Sequence, residues 1–153
     1  MTTVIQQLKI AILEDNDDRT VTMRAALADE FAMYEHHFLP TAPLMLAWLE
    51  RHLSEAIAIS LDHDLELPPD AIDRTDPGDG RQVADALAAR APNCPVIIHT
   101  TNVPAGDGME TVLAEAGWQT FRVTPYDDLR WIREAWQPLV REATPPRESL
   151  SSA

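Results

Sequence analysis

Two stretches decide the fold: residues 8–16, LKIAILEDN, and residues 56–64, AIAISLDHD. Each begins with a short apolar run and ends in acidic residues. A continuous apolar run of this length, bounded by turn-forming residues, is typical of a strand that is buried on both faces, as the strands of parallel sheets are. The two stretches therefore predict two parallel strands, each followed directly by acidic side chains.

The rest of the chain alternates between strand and helix patterns. Three more segments predict strands, at residues 31–38, 95–100 and 118–123. Apolar spacing and composition predict helices over 17–29, 41–53, 81–91, 109–116 and 126–141, the last one interrupted near Pro138. This alternation predicts an α/β fold of the flavodoxin-like type, a five-stranded parallel sheet in the order 2-1-3-4-5 with helices on both faces.

Two loops and a tail complete the expected organisation. Residues 65–80 form a long polar loop, which in a compact domain is usually functional or mobile. Residues 101–108, with Gly106 and Gly108, are expected to form a flexible lid. We expect one domain over residues 1–142, followed by a disordered tail over 143–153 that is rich in Pro and Ser.

Charge and composition exclude several classes of protein. The 153 residues carry 12 Lys and Arg against 25 Asp and Glu, a formal net charge of −13. Such a chain repels nucleic-acid backbones and anionic membranes, so we expect neither extended nucleic-acid binding nor membrane binding. The single cysteine, Cys94, excludes a disulfide framework, and no signal peptide or membrane span is visible, which favours a cytoplasmic location.

The residues that could bind a ligand or catalyse a reaction lie at the carboxyl ends of the predicted strands. In an open α/β sheet, ligands bind at this edge, beside the point where the strand order reverses. The polar residues that follow strands one, three and four should therefore meet there: Glu14, Asp15, Asp62, His63, Asp64, His99, Thr100 and Asn102.

Several carboxylates at one place repel each other, so either a pKa rises or a cation binds. We predict a divalent-metal site formed by Glu14, Asp15, Asp62 and Asp64. Mg²⁺ and Mn²⁺ suit carboxylate oxygens, and the nearby histidines leave Zn²⁺ open.

The same edge has the side chains that a phosphate ester requires. A bound metal would polarise the phosphate and activate water, and His63 and His99 can move protons near neutral pH, so we predict Asp62, His63 and His99 as catalytic residues. The predicted phosphate-binding residues donate hydrogen bonds through guanidinium, hydroxyl or amide groups: Arg19, Arg81, Thr100 and Asn102.

The arrangement resembles the receiver domains of two-component response regulators. In those proteins an acidic pair follows strand one, a phospho-accepting Asp follows strand three, a Ser or Thr follows strand four, and a Lys-Pro pair follows strand five. Glu14-Asp15, Asp62 and Thr100 match the first three positions, but Thr124 stands before Pro125 where the lysine would be.

Where the sequence departs from the response-regulator pattern, it is similar to the cyclic-phosphate processing receiver-like family. The matching segments are ISLDHDL at residues 59–65, DGR at 79–81, IHTTN at 98–102 and AGW at 116–118. The resemblance spans residues 8 to about 140. It implies a receiver-derived fold whose acidic pocket, with added histidines, binds or processes a phosphate ester, for example a cyclic phosphate on a nucleotide or RNA end.

Three functions remain open at this point. The first is a metal-dependent cyclic phosphoesterase, a hydrolase. The second is a signalling receiver that is phosphorylated on Asp62, and the third is a non-catalytic nucleotide-sensing or protein-interaction module. A homodimer through the last helix, with Trp131 and Trp136 on its face, is also open.

Overall fold

The structure is a computed structural model that describes residues 7–145. Its five strands are β1 (Lys9–Leu13), β2 (Glu35–Leu39), β3 (Ala56–Leu61), β4 (Val96–His99) and β5 (Thr120–Val123). Its α-helices are α1 (Asp17–Glu30), α2 (Ala42–His52), α3 (Gly80–Ala88), α4 (Val103–Glu115) and α5 (Gln137–Ala143). A 3₁₀ turn, Leu53–Glu55, follows α2, and a π-helical turn, Ile132–Trp136, precedes α5.

The strands form one parallel sheet in the order β2-β1-β3-β4-β5, which confirms the predicted topology. Alternate residues of β1 point to opposite faces of the sheet. Ala11 and Leu13 pack with residues of α2, α3 and α4, whereas Ile10 and Ile12 pack with α1, the π-helical turn and α5. The sheet is therefore covered by helices on both faces, and the carboxyl ends of β1, β3 and β4 share one edge.

The second strand begins at Glu35, four residues later than its predicted start. Phe31 instead ends α1, since its N–H donates to the Leu27 carbonyl, and a turn that includes Tyr34 follows. Strand β2 lies at the edge of the sheet and is half-exposed, so its sequence has no continuous apolar run to mark its start.

The predicted flexible lid at residues 101–108 is wrong. Helix α4 begins at Val103, because the Asn102 side chain accepts a hydrogen bond from the N–H of Ala105 and caps the helix. Gly106 and Gly108 therefore lie inside the first turns of α4. Gly106 is buried, and a Cβ there would lie 2.3 Å from a guanidinium nitrogen of Arg122, so close packing explains this glycine better than flexibility does.

The last helical segment packs its tryptophans inside the domain. Trp131 and Trp136 are fully buried, so they do not offer a dimer face, and the predicted homodimer has no support from them. Two residues of the predicted tail are packed against the domain, since Ala143, the last residue of α5, and Thr144 are both buried. Residues 146–153 of the predicted tail lie outside the described residues.

Across residues 7–145, no helix combines the length and the apolar character needed to cross a membrane.

Candidate functional site

Three carboxylates meet at the carboxyl edge of the sheet. Glu14 and Asp15 follow β1, and Asp62 follows β3, the neighbouring strand. Each offers an oxygen atom, and these oxygens lie within 4.8 Å of one another. The predicted fourth ligand, Asp64, lies outside this group. We call the group of Glu14, Asp15 and Asp62 the acidic pocket.

Glu14 is fully enclosed by hydrogen-bond donors. Its Oε2 accepts from the N–H groups of Asp15 and Asn16, at 3.1 Å each, and its Oε1 lies 3.1 Å from Nε2 of His99. Burial raises the pKa of Glu14, but the hydrogen bond with His99 and the charges nearby outweigh it, so the pKa lies below its ordinary value. Glu14 is therefore a buried anion with little capacity left for direct metal coordination.

His99 lies beneath the pocket rather than in its opening. The side chain is fully buried, with Nδ1 2.7 Å from Oγ of Ser60, and the imidazole stacks on Trp131. The indole N–H of Trp136 donates to the same Ser60 oxygen at 2.9 Å. Both ring nitrogens of His99 thus have partners inside the protein, so the structure gives it the position of a support for Glu14. Its predicted role in proton transfer to a substrate remains a prediction.

Ser60 is a site residue that the sequence reasoning missed. It is the one polar residue in the strand AIAISL, and a hydroxyl buried in a parallel strand needs a hydrogen-bond partner. That signal was present in the sequence. The contributions of Trp131 and Trp136 had no comparable signal, because they depend on how a distant helix packs.

Asp62 and Asp15 are the carboxylates with capacity for a ligand. Burial, with a smaller contribution from the charge of Glu14, raises the pKa of Asp62 to about 6. Burial also raises the pKa of Asp15, whose Oδ2 accepts from the N–H of Glu66 at 2.8 Å. Both shifts arise mainly from burial, which disfavours the ionised carboxylate, and the negative charge of Glu14 adds to them.

Arg19 brings a positive charge to the pocket. Arg19 lies in the first turn of α1, and its Nη1 is 3.6 Å from Glu14 Oε1 and 3.8 Å from Asp62 Oδ2. The guanidinium also lies 5.4 Å from the centre of the Trp131 ring, so an aromatic face supports it. The structure thus places this predicted phosphate-binding residue at the site.

His63, Asp64 and Asn102 form a more exposed rim. His63 Nδ1 lies 2.7 Å from Asp64 Oδ1, and Asn102 Nδ2 lies 3.4 Å from both Asp64 carboxylate oxygens. The Asp64 side chain is 64% exposed, so a water-facing hydrogen bond with His63 describes it better than a metal ligand. His63 and Asn102 therefore stay beside the pocket, held there through Asp64.

The structure does not bring Arg81 to the pocket. Its Nε donates to Asp85 on the same helix at 2.8 Å, and a Cβ on Gly108 would lie 3.0 Å from its Nη1, so the guanidinium lies against α4. Thr100 is buried, and its hydroxyl accepts from the N–H of Asn102 at 3.1 Å, so it holds the start of α4.

The long polar loop after β3 returns to its own starting point. Asp64 and Asp79 form an isolated antiparallel bridge, and the N–H of Gly80 donates to the His63 carbonyl at 2.9 Å. A Cβ on Gly80 would lie 2.0 Å from the carbonyl oxygen of Asp62. Glycine is needed there because the start of α3 packs directly on the backbone of the pocket.

Solved structures share this fold at low sequence identity. The phosphorylated cyanobacterial phytochrome response regulator RcpA superposes with a TM-score of 0.68 and 19% identity, over 96% of each chain. The Mn²⁺-bound form of the response regulator Rcp1 superposes with a TM-score of 0.61 and 18% identity, over 86% of this chain and 91% of the Rcp1 chain. The response regulator domain of Thermotoga maritima CheB superposes with a TM-score of 0.63 and 14% identity, over 92% of this chain and 99% of the CheB chain. No curated protein matches the chain.

The family can be assigned from the sequence itself. Residues 11–115 match the family described as the cyclic-phosphate processing receiver domain. The match runs from β1 into the last turn of α4, and therefore includes the acidic pocket. The chain belongs to the cyclic-phosphate processing receiver domain family.

Proposed function

We propose that this domain binds the phosphate group of a phosphate ester, together with a divalent cation, at the acidic pocket. The observation that carries the proposal is the meeting of three carboxylate oxygens within 4.8 Å beside the Arg19 guanidinium. A dication would lower the free energy of this crowded negative charge, and the cation and guanidinium together would then attract a phosphate.

The residues present fit Mg²⁺ or Mn²⁺. Both ions prefer oxygen ligands and commonly use one or two carboxylates together with phosphate and water. Asp15 and Asp62 would hold the ion, since Glu14 already accepts hydrogen bonds on both oxygens. The Mn²⁺-bound form of Rcp1, a structure of the same fold, supports a cation of this kind.

The chain's own residues would orient the ligand around that ion. The planar guanidinium of Arg19 can donate two parallel hydrogen bonds to phosphate oxygens. His63, whose side chain is 17% exposed, can donate or accept a proton at the rim. The bound ion would supply polarisation of the phosphate. These roles fit a small ester better than a long polyanion, because the net charge of −13 repels the latter.

The family assignment favours a cyclic phosphate as the ester, on a nucleotide or on a single RNA end. Hydrolysis of that ring is the finer part of the proposal: water adds to phosphorus, one ring P–O bond breaks, and a proton passes to the departing ribose oxygen. We assign this proton transfer to His63, because its side chain is partly exposed whereas His99 is enclosed.

A thermal-shift matrix tests the binding. Mg²⁺, Mn²⁺ and Zn²⁺ are each combined with 2′,3′-cyclic and linear nucleotides. We expect the melting temperature to rise most when a metal and a cyclic phosphate are both present. Asp15→Asn and Asp62→Asn should remove this joint shift, and Asp64→Asn should retain it.

Chromatography of the same mixtures then separates the functions. A linear nucleotide product that is absent with Asp62→Asn indicates hydrolysis, and binding without product indicates a sensor. If acetyl phosphate with Mg²⁺ adds a phosphoryl mass to Asp62 while no nucleotide shifts the melting temperature, the proposal is overturned in favour of a phospho-accepting receiver.

A further inference from the structure

A second cluster of titratable side chains lies away from the acidic pocket, toward the start of β1 and β2. His37 on β2 and His52 at the end of α2 have ring centroids 6.1 Å apart. Their side chains are 29% and 34% exposed, so solvent reaches both. The proposed phosphate site uses neither residue.

Each of these histidines is oriented by its own carboxylate. His37 Nε2 lies 3.2 Å from Glu35 Oε1, and His52 Nδ1 lies 3.0 Å from Glu55 Oε1. Metal-binding histidines almost always donate their second ring N–H to a carboxylate, a carbonyl or water, which fixes the tautomer. With those nitrogens protonated, His37 Nδ1 and His52 Nε2 are the nitrogens with a lone pair.

Lys9 ties the two carboxylates together. Its Nζ lies 2.6 Å from Glu55 Oε2 and 3.5 Å from Glu35 Oε2, and the residue is only 6% exposed. Lys9 and Glu35 are also partners in the pairing of β1 with β2. Lys9 thus holds in place the two carboxylates that lie beside the histidine rings.

Trp48 forms the inner wall of the cluster. Its indole centroid lies 5.7 Å from that of His37 and 5.5 Å from that of His52, and the residue is 6% exposed. The indole therefore lies on the inner side of both imidazoles. The outer side of the pair is open to solvent, from which a ligand can enter.

We propose that His37 and His52 bind one transition-metal ion of the class that prefers imidazole, Zn²⁺ or Cu²⁺, with water completing its coordination. Such ions bind neutral imidazole nitrogen at about 2.0–2.1 Å, which brings two rings on one ion to a centroid separation of about 5 Å. The rings need to approach by about an ångström from their present positions, which side-chain rotation at this degree of exposure permits.

His36 provides a matched control for this site. It is the neighbour of His37 in the same strand, so its side chain points to the opposite face of the sheet. There its Nε2 lies 2.8 Å from the carbonyl oxygen of Phe31. A His36→Gln variant therefore removes one imidazole from the protein but none from the pair.

Calorimetric titration with Zn²⁺, in the presence of excess Mg²⁺ to compete for oxygen ligands, tests the proposal on the full chain. The wild type and His36→Gln should bind Zn²⁺ with the same affinity. His37→Gln and His52→Gln should each bind it at least tenfold more weakly. Equal affinity in all four proteins, or an equal loss in His36→Gln, would overturn the proposal.

Fluorescence gives a second measurement that needs no histidine variant to fold. Cu²⁺ bound against Trp48 should quench tryptophan emission of the wild type, and the quenching should be complete at one equivalent. Trp48→Phe should lose that quenchable component, because Trp48 is the tryptophan that lies against His37 and His52. No quenching of the wild type at one equivalent would contradict the metal site directly.

Discussion

Arg19 balances much of the charge in the acidic pocket, and its substitution should show this. Arg19→Gln leaves Glu14 and Asp62 without a nearby guanidinium, so we expect a loss of roughly 1–2 kcal/mol in the free energy of unfolding. The pKa of Asp62 should rise further in the variant. Chemical denaturation and carboxyl NMR titration measure both effects.

The variant Arg19→Lys tests whether the positive charge of Arg19 or the planar shape of its guanidinium is what matters. An ammonium keeps the positive charge but lacks the planar pair of donors. Stability should therefore recover largely, while the affinity for a phosphate ester stays reduced. Full recovery of ligand affinity with lysine would show that only the charge of Arg19 matters.

The raised pKa of Asp62 makes the stability of the domain depend on pH. The folded state holds this proton up to about pH 6, whereas the unfolded chain releases it near 3.8. Stability from this group is present below pH 3.8 and is lost as the pH rises to 6, on the order of 2–3 kcal/mol. Asp62→Asn should therefore unfold at higher temperature than the wild type at pH 8 without metal, with little difference at pH 4.

The single residues differed in how well the sequence predicted them. Glu14, Asp15 and Asp62 directly follow apolar strands, so strand order alone brought them together. The enclosure of His99 depends on Trp131 and Trp136, which are distant from it in sequence. No local sequence pattern predicts such packing. Arg81 looked equivalent to Arg19 in sequence, but Asp85 one turn later holds it on its own helix.

At the scale of elements, the start of α3 and the end of β3 are locked by their closest backbone contact. In Gly80→Ala the new methyl group would meet the Asp62 carbonyl at 2.0 Å, so either the helix or the pocket must move. We expect a loss of about 1–3 kcal/mol in unfolding free energy and weaker metal binding, measured by denaturation and by thermal shift with Mn²⁺.

Gly108→Ala is the matched control inside a helix. Its methyl group would meet only the flexible end of Arg81, at 3.0 Å. Alanine is the better helix former by about 0.5–1 kcal/mol, so this variant should be neutral or more stable. Similar losses in the two glycine variants would show that the backbone contact at Gly80 is not special.

The strands were predictable from the sequence where burial on both faces requires a run of apolar residues. Strands β1, β3 and β4 are mostly apolar and almost entirely buried, whereas the half-exposed β2 gave no sign of where it begins. The π-helical turn is harder to foresee. Residues five apart, such as Trp131 and Trp136, lie about 140° apart around an α-helix, so regular periodicity would separate them. The wider turn, closed by the Gln137 N–H on the Ile132 carbonyl, lets both face the core.

At the scale of the whole molecule, one buried chain of contacts joins the last helical segment to three strands of the sheet. It runs from Trp136 through Ser60 and His99 to Glu14. Ser60→Ala would leave the indole N–H and one imidazole nitrogen unpaired in the core. We expect a loss of about 1–3 kcal/mol, measured by denaturation, together with weaker metal binding.

Ser54→Ala provides the comparison, since Ser54 lies exposed in the 3₁₀ turn after α2. Its loss should change stability by less than about 0.5 kcal/mol. If both serine variants unfold alike, the buried chain contributes nothing specific to the pocket.

The loop between β3 and α3 is a place where the polypeptide could be cut without disrupting the acidic pocket. Its two ends are held by the Asp64–Asp79 bridge and the Gly80–His63 hydrogen bond, while Ile72, near its middle, is fully exposed. A protease cut beside Ile72 would divide the polypeptide without parting the strands and helices that hold the carboxylates. The same position would accept an inserted reporter segment, or new termini in a circular permutant, more readily than any element of the sheet.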